Sequence, residues 1–169
     1  MSVRTSSRGI LAPDQTDQRE QILEMLQKAY WMEIETVISY MANSINPDGV
    51  RAREIIESLE QDIQEELGHA RRFGERIKEL YGVVPGSMDF EAEQSYLQPP
   101  SHQTDVVHVI QGVIEAEMGA IEFYNKIIEQ TEAVDPVTQD MVIAILGDEE
   151  GHCRLFEGYL REYEAEGRV

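Results

Sequence analysis

Two segments 83 residues apart, EELGHARRF at 65–73 and DEEGHCRLF at 148–156, each set a glutamate three residues before a histidine: Glu66 with His69, and Glu149 with His152. On a helix that spacing puts both side chains on one face. A carboxylate beside an imidazole is a ligand pair for a divalent transition metal. One such pair in an acidic helical chain is by default an intrahelical contact on a solvated face. Here the pair is repeated, and a second motif repeats with it. EIETVISY places Glu33 seven residues before Tyr40, and EMGAIEFY places Glu117 seven residues before Tyr124, at an offset of 84. A two-helix unit is written twice, which predicts a pseudo-twofold axis relating the copies.

The elements that must position these residues follow from where Gly and Pro fall. Helix-favouring stretches run over about 16–45, 52–81, 104–132 and 136–165. Two of the breaks are short: NPDGV at 46–50, and EAVDP at 132–136, where Asp135 can cap a helix begun by Pro136. The middle break, 83–103, is about twenty residues long and holds Pro85, Gly86, Pro99 and Pro100. No strand pattern of useful length appears. Short, long and short connections predict two helical hairpins joined by a crossover that runs the length of a bundle. The fold class is all-α, an antiparallel four-helix bundle over residues 16–166, preceded by a flexible tail at 1–15.

Stepping by three and four along each helix gives an inward stripe. The first reads Leu23, Leu26, Tyr30, Glu33, Val37, Tyr40; the second Ile55, Leu59, Asp62, Glu66, His69, Phe73. The third reads Ile110, Val113, Glu117, Ala120, Tyr124, Ile128; the fourth Val142, Ile145, Glu149, His152, Phe156, Tyr159. In each, an acid falls on a mostly apolar line. The midpoint of Glu33 and Glu66 lies between Gly49 and Val50, and that of Glu117 and Glu149 is Ala133, so each pair is level across its own hairpin turn. Four carboxylates and two imidazoles therefore converge. Buried carboxylates are costly unless paired or bound to metal, and no Lys or Arg lies on the stripes within a turn of them. Two divalent cations would neutralise the set, and oxygen-rich ligation with one His each suits iron or manganese better than zinc.

Glu35 rivals Glu33 by spacing, and the Glu–Tyr repeat favours Glu33. Tyr40 and Tyr124 are core aromatics, or site neighbours able to donate a hydrogen bond or an electron. Asp62 and Glu65 are solvated flanking acids by default, with cation uptake as the alternative. His102 and His108 belong to no repeat and are expected at the surface or in the core. Cys153 aligns with Ala70 and is a packing residue.

Composition sets outer limits. The 169 residues include 14 basic and 33 acidic side chains, a formal charge of -19. That excludes a general nucleic-acid or anionic-membrane binder, which needs clustered Lys and Arg. A single cysteine forbids an internal disulfide and fits a reducing cytoplasm. No apolar run approaches the roughly 18 residues of a membrane span, and the first twelve residues lack the apolar core of a signal peptide.

From Glu33 to about Tyr163 the chain resembles the ferritin-like di-iron carboxylate superfamily, in particular bacterioferritins and thioferritin-type Dps-like proteins. EIETVISY, EELGH, EAEMGA and DEEGH carry the resemblance in order and spacing. It implies ferroxidase chemistry with two iron ions per chain, manganese being the alternative. Fe(II) is oxidised by O2 or H2O2 and stored as ferric mineral in a homo-oligomeric shell. It also implies that Glu66 and Glu149 bridge the metals, Glu33 and Glu117 are terminal, and His69 and His152 bind one metal each. Leu67 stands where bacterioferritins have a haem-binding Met, so no haem is expected. The thioferritin Cys pair is absent, and Ala120 replaces a further rubrerythrin-type Glu. An end at Val169, without a fifth helix, favours a dodecamer over a 24-mer. Two other functions share the resemblance: a redox enzyme without storage (a peroxidase or manganese catalase-like protein), and a Dps-type DNA protector whose support is Arg4 and Arg8.

Overall fold

The structure, a computed structural model, describes residues 8–169. Four long helices account for most of it: α1 (Thr16–Ile45), α2 (Ala52–Glu79), α3 (Val106–Thr131) and α4 (Pro136–Ala165), with no strand among the described residues. α1 packs chiefly on α2 and α3 on α4, and the two hairpins meet mainly along α1 and α3. This is the expected bundle. Among the described residues no helix is long and apolar enough to cross a membrane.

Local chemistry explains the helix ends. Asp135 accepts from the Thr138 amide and Pro136 opens α4, as its sequence requires. Asp105 does the same for the His108 amide at the start of α3, two residues later than the composition implies. α2 stops at Glu79, short of 81, because Tyr81 takes a left-handed φ of 67° and the Gly82 amide turns back to the Ile77 carbonyl.

The crossover is laced to α1. Glu35, buried, accepts from the backbone amides of Glu93 and Gln94 at 2.7–3.0 Å. Gln94 donates to Thr36, and Asn43 donates to the Leu97 carbonyl. A methyl group on Gly112 would sit 2.8 Å from the Tyr96 carbonyl, so the crossover rests directly on α3 there. The buried arc of α1 is wider than a single stripe for this reason. It takes in Glu35, Thr36, Ser39 and Asn43, while Leu23, Tyr30 and Val37, expected inside, are only half-buried. Replacing Glu35 with alanine strands two amides and is expected to cost about 2 kcal/mol, read as a lower urea midpoint with metal content unchanged. A loss of bound metal would instead make Glu35 the ligand in place of Glu33.

Residues 9–15, expected as part of a flexible tail, are held against α1. They form two 3-10 turns, Ile10 and Ala12 are buried, and Arg19 donates to both of their carbonyls. One apolar anchor and a two-carbonyl clamp hold this stretch down. Residues 1–7, with Arg4, lie outside the described residues.

The core falls into two apolar clusters. One gathers Tyr40, Leu59, Ile110, Val113 and Phe156; the other gathers Leu26, Phe73, Ile77, Tyr124 and Ile145. The repeated acids of all four helices belong to neither.

Candidate metal centre

Glu33, Glu66, Glu117 and Glu149, one from each helix, are 1–3% exposed, and His69 and His152 are buried with them. They form two overlapping groups. Glu33, Glu66, His69 and Glu149 offer ligand atoms within 4.8 Å of one another, as do Glu66, Glu117, Glu149 and His152. Glu66 and Glu149 belong to both. The Nδ1 of His69 lies 3.1 Å from Glu149, 3.3 Å from Glu66 and 3.8 Å from Glu33. The Nδ1 of His152 lies 3.3 Å from Glu66, 3.4 Å from Glu149 and 3.9 Å from Glu117. The two halves repeat one geometry, as the duplicated hairpin predicts.

The tyrosines add a link that spacing does not show. Tyr40 donates to Glu117 and Tyr124 donates to Glu33. Seven residues carry a tyrosine two helical turns, roughly 10 Å, past the acid of its own helix. Because the hairpins are related by a twofold, that displacement brings it level with the acid of the other one.

Electrostatics follow from burial. Glu33 is pushed well above the usual carboxylate range by burial and then by the charges of Glu66 and Glu149. Glu117 is raised in the same way. Burial also raises Glu66, but the close approach of the His152 and His69 rings and of the Glu33 carboxyl outweighs it and brings its pKa down to about 2. Burial lowers both histidines, yet the Glu149 and Glu66 carboxylates close beside them carry His69 up to about 10 and His152 up to about 12. Protons held on Glu33, Glu117, His69 and His152 thus offset the negative charge of the buried cluster. Exchanging those four protons for two divalent cations leaves the buried charge unchanged.

The donor atoms suit that exchange. Glu66 Oε1, Glu149 Oε1 and His152 Nδ1 are buried and make no hydrogen bond, although ring nitrogens approach both oxygens within 3.3 Å. An orphaned buried polar atom costs about 1–3 kcal/mol, and bound cations would satisfy all three. Oxygen donors with one nitrogen per group match iron or manganese in the divalent state.

Two residues acquire a role the sequence reading missed or left open. The outer nitrogen of His69 meets Asp148 at 3.1 Å, and that of His152 meets Glu65 at 3.0 Å. A carboxylate there accepts Nε2–H and leaves Nδ1 bare for a metal. The signal was present, since each acid directly precedes a repeated glutamate. Asp62, by default a solvated flank, is in fact 3% exposed. Burial pushes its pKa up to about 6 despite His152, whose Nε2 is 3.7 Å away. His102 and His108 are exposed, and Cys153 is free and buried.

Two hairpins closed on four carboxylates and two imidazoles define an all-α bundle with a carboxylate-rich centre that could hold metal. The chain belongs to the ferritin-like family, whose Ferritin-like domain profile matches residues 23–165. A DNA protection during starvation protein from Pyrococcus furiosus is 31% identical over 146 residues, covering 83% of this chain and 77% of that protein. A bacterioferritin from Desulfovibrio desulfuricans is 25% identical over 148 residues, covering 87% and 78%. Among solved structures, a dodecameric thioferritin, the bacterioferritin-related protein of Bacteroides fragilis, superposes with a TM-score of 0.76. It is 22% identical and covers 88% of this chain and 89% of its own, a likeness of fold.

Proposed function

We propose that this chain is a ferroxidase of the cytoplasm that oxidises Fe(II) with O2 or H2O2 and stores Fe(III) inside a homo-oligomeric shell. The observation that supports it most is the pair of buried ligand groups sharing Glu66 and Glu149. In this reading Glu66 and Glu149 bridge two cation positions. Glu33 and His69 complete one, and Glu117 and His152 the other. Asp148 and Glu65 hold the imidazoles as Nε2–H tautomers. Tyr124 and Tyr40 hold the terminal acids and stand within reach as electron donors. Two ferrous ions side by side supply two electrons to the oxidant. The apolar clusters keep bulk water from the carboxylates, so their charge acts in a medium of low polarisability. Shell formation, a dodecamer in preference to a 24-mer, is supported by the dodecameric thioferritin of the same fold, and no haem is involved.

Aerobic addition of Fe(II) to the purified protein, followed by size separation and iron assay, tests this. Storage is expected to leave far more iron than two ions per chain on a shell-sized particle. Two ions per chain on a small particle would replace storage with a soluble redox enzyme. A second reading, protection of DNA, is favoured by the Pyrococcus relative. The charge of -19 opposes it, and duplex DNA is expected to run free of the protein in a low-salt gel. Retention there would reverse that expectation.

A further inference from the structure

The hairpin is written twice but the crossover only once, so the cleft it forms with α1 has no counterpart in the other half of the chain. That cleft encloses about 380 Å³, the scale of a small-molecule site. Trp31, Met32 and Tyr96 give it apolar walls, and the exposed acids Asp89, Glu91 and Glu93 stand around its mouth. The indole of Trp31 is seated against Phe90, with ring centroids 5.2 Å apart. Lys28 is the one basic residue lining the cleft among the described residues. Its ammonium lies 3.7 Å from Glu93 and over the ring of Phe123.

Two buried acceptors on this lining are left with capacity to spare. Gln94 is 5% exposed, and its amide nitrogen donates to the Thr36 hydroxyl at 2.9 Å and the Met32 carbonyl at 3.4 Å. A carbonyl can only accept, which keeps that nitrogen turned to α1 and leaves Oε1 buried without a hydrogen bond. Glu35, also buried, takes two backbone amides of the roughly four bonds a carboxylate can accept. It has no ion-pair partner among the described residues, since Lys28 turns to Glu93 instead. A buried carboxylate without a counter-charge is costly. Burial, then the charges of Glu115, Glu35 and Glu93, raise Tyr96 above the usual phenol range, so the field in the cleft is negative.

We propose that this cleft binds a small organic cation, an alkylamine or alkylguanidine, whose N–H groups meet Gln94 and Glu35 and whose hydrocarbon lies on Trp31 and Tyr96. Spare acceptors call for a donor, the negative field for positive charge, and the aromatic walls for an apolar stem or a cation over a ring face. A hydrated metal ion would use the acids and leave the walls idle. The site stands apart from the six-ligand centre, so either can fail without the other.

Trp31 is the chain's single tryptophan, so indole emission reports on this cleft. Full-length protein is titrated with hexylamine and with butylguanidine at fixed pH and ionic strength. A saturable change is expected, half complete on the order of 0.1–1 mM. Hexanol and tetramethylammonium should give none, and magnesium(II) should not displace the amine. Gln94→Leu is expected to weaken binding roughly tenfold. The double variant Asp89→Asn/Glu91→Gln, at exposed positions that spare the fold, should weaken it about threefold. Circular dichroism establishes folding, and Gln94→Met stands in should the leucine variant fold poorly. The proposal is overturned by a titration that does not saturate, or by wild-type affinity in a folded Gln94 variant. An equal response to hexanol would overturn it as a merely apolar hollow, and displacement by magnesium(II) as a merely acidic patch. A changed particle mass in the double variant would also overturn it, giving the cleft to a basic side chain of a neighbouring subunit.

Discussion

Replacing Glu149 with glutamine is expected to weaken both cation positions together, whereas Glu33→Gln weakens one. The reason is membership: Glu149 contributes to both ligand groups, and Glu33 only to the one containing His69. Glutamine keeps the shape and removes the charge. Taking one partner out of a buried charge set costs about 3–5 kcal/mol, so affinity should fall roughly a hundredfold or more at each position touched. Titration calorimetry with metal analysis checks this. The expected pattern is close to zero retained ions for Glu149→Gln at a concentration that fills wild type, and close to one for Glu33→Gln. Full retention by Glu149→Gln would end the bridging assignment. Loss of both ions in Glu33→Gln would show that the halves are not separable.

Removing the cations is expected to lower stability, by more as pH rises. At a hundred times the dissociation constant each bound ion adds about 2.7 kcal/mol, so two add about 5 kcal/mol, a Tm difference of roughly 10–20 °C for a domain of this size. The pH trend comes from the buried groups. Glu33 and Glu117 have raised folded pKa values, so the cation-free fold loses stability as pH climbs above their ordinary 4.5. His69 and His152 contribute stability that is complete below 6.5 and is lost as pH rises through about 10 and about 12. Glu66 acts the other way, its contribution being present above 4.5 and lost as pH falls toward about 2. Between about pH 5 and pH 9 the first two trends act together and Glu66 is already ionised. Thermal melts should therefore show the cation-free Tm falling across that window while the loaded protein holds, since its protons have already been displaced. A cation-free Tm that rises over the same range would contradict this account of the buried charge.

The relation of sequence to structure is clearest at Glu33 and Glu35. Helical spacing allowed either to face inward, and the Glu–Tyr repeat singled out Glu33. Both are buried, for different ends: Glu33 beside Glu66 and His69, Glu35 under the crossover amides. The crossover is an irregular segment, and no periodicity announces which acid its amides will find. Tyr40 and Tyr124 show the same limit. Their spacing names the turn they stand on, while their partners, Glu117 and Glu33, come from the opposite hairpin. Asp148 was legible in principle, because it repeats Glu65, yet its contact with His69 crosses between α2 and α4.

Sequence alone determined the four helices, their two short turns and the level at which the repeated acids stand. These depend on backbone propensity, on capping by Asp135 and on a 3.6-residue period, all of which act within a few residues of the chain. Tertiary structure decided which side chains answer one another: the exchanged tyrosines, the acids behind each imidazole, the burial of Asp62 and the folding of residues 9–15 onto α1. Those pairings depend on how separate helices pack and on which groups lose water together, and no local spacing encodes either.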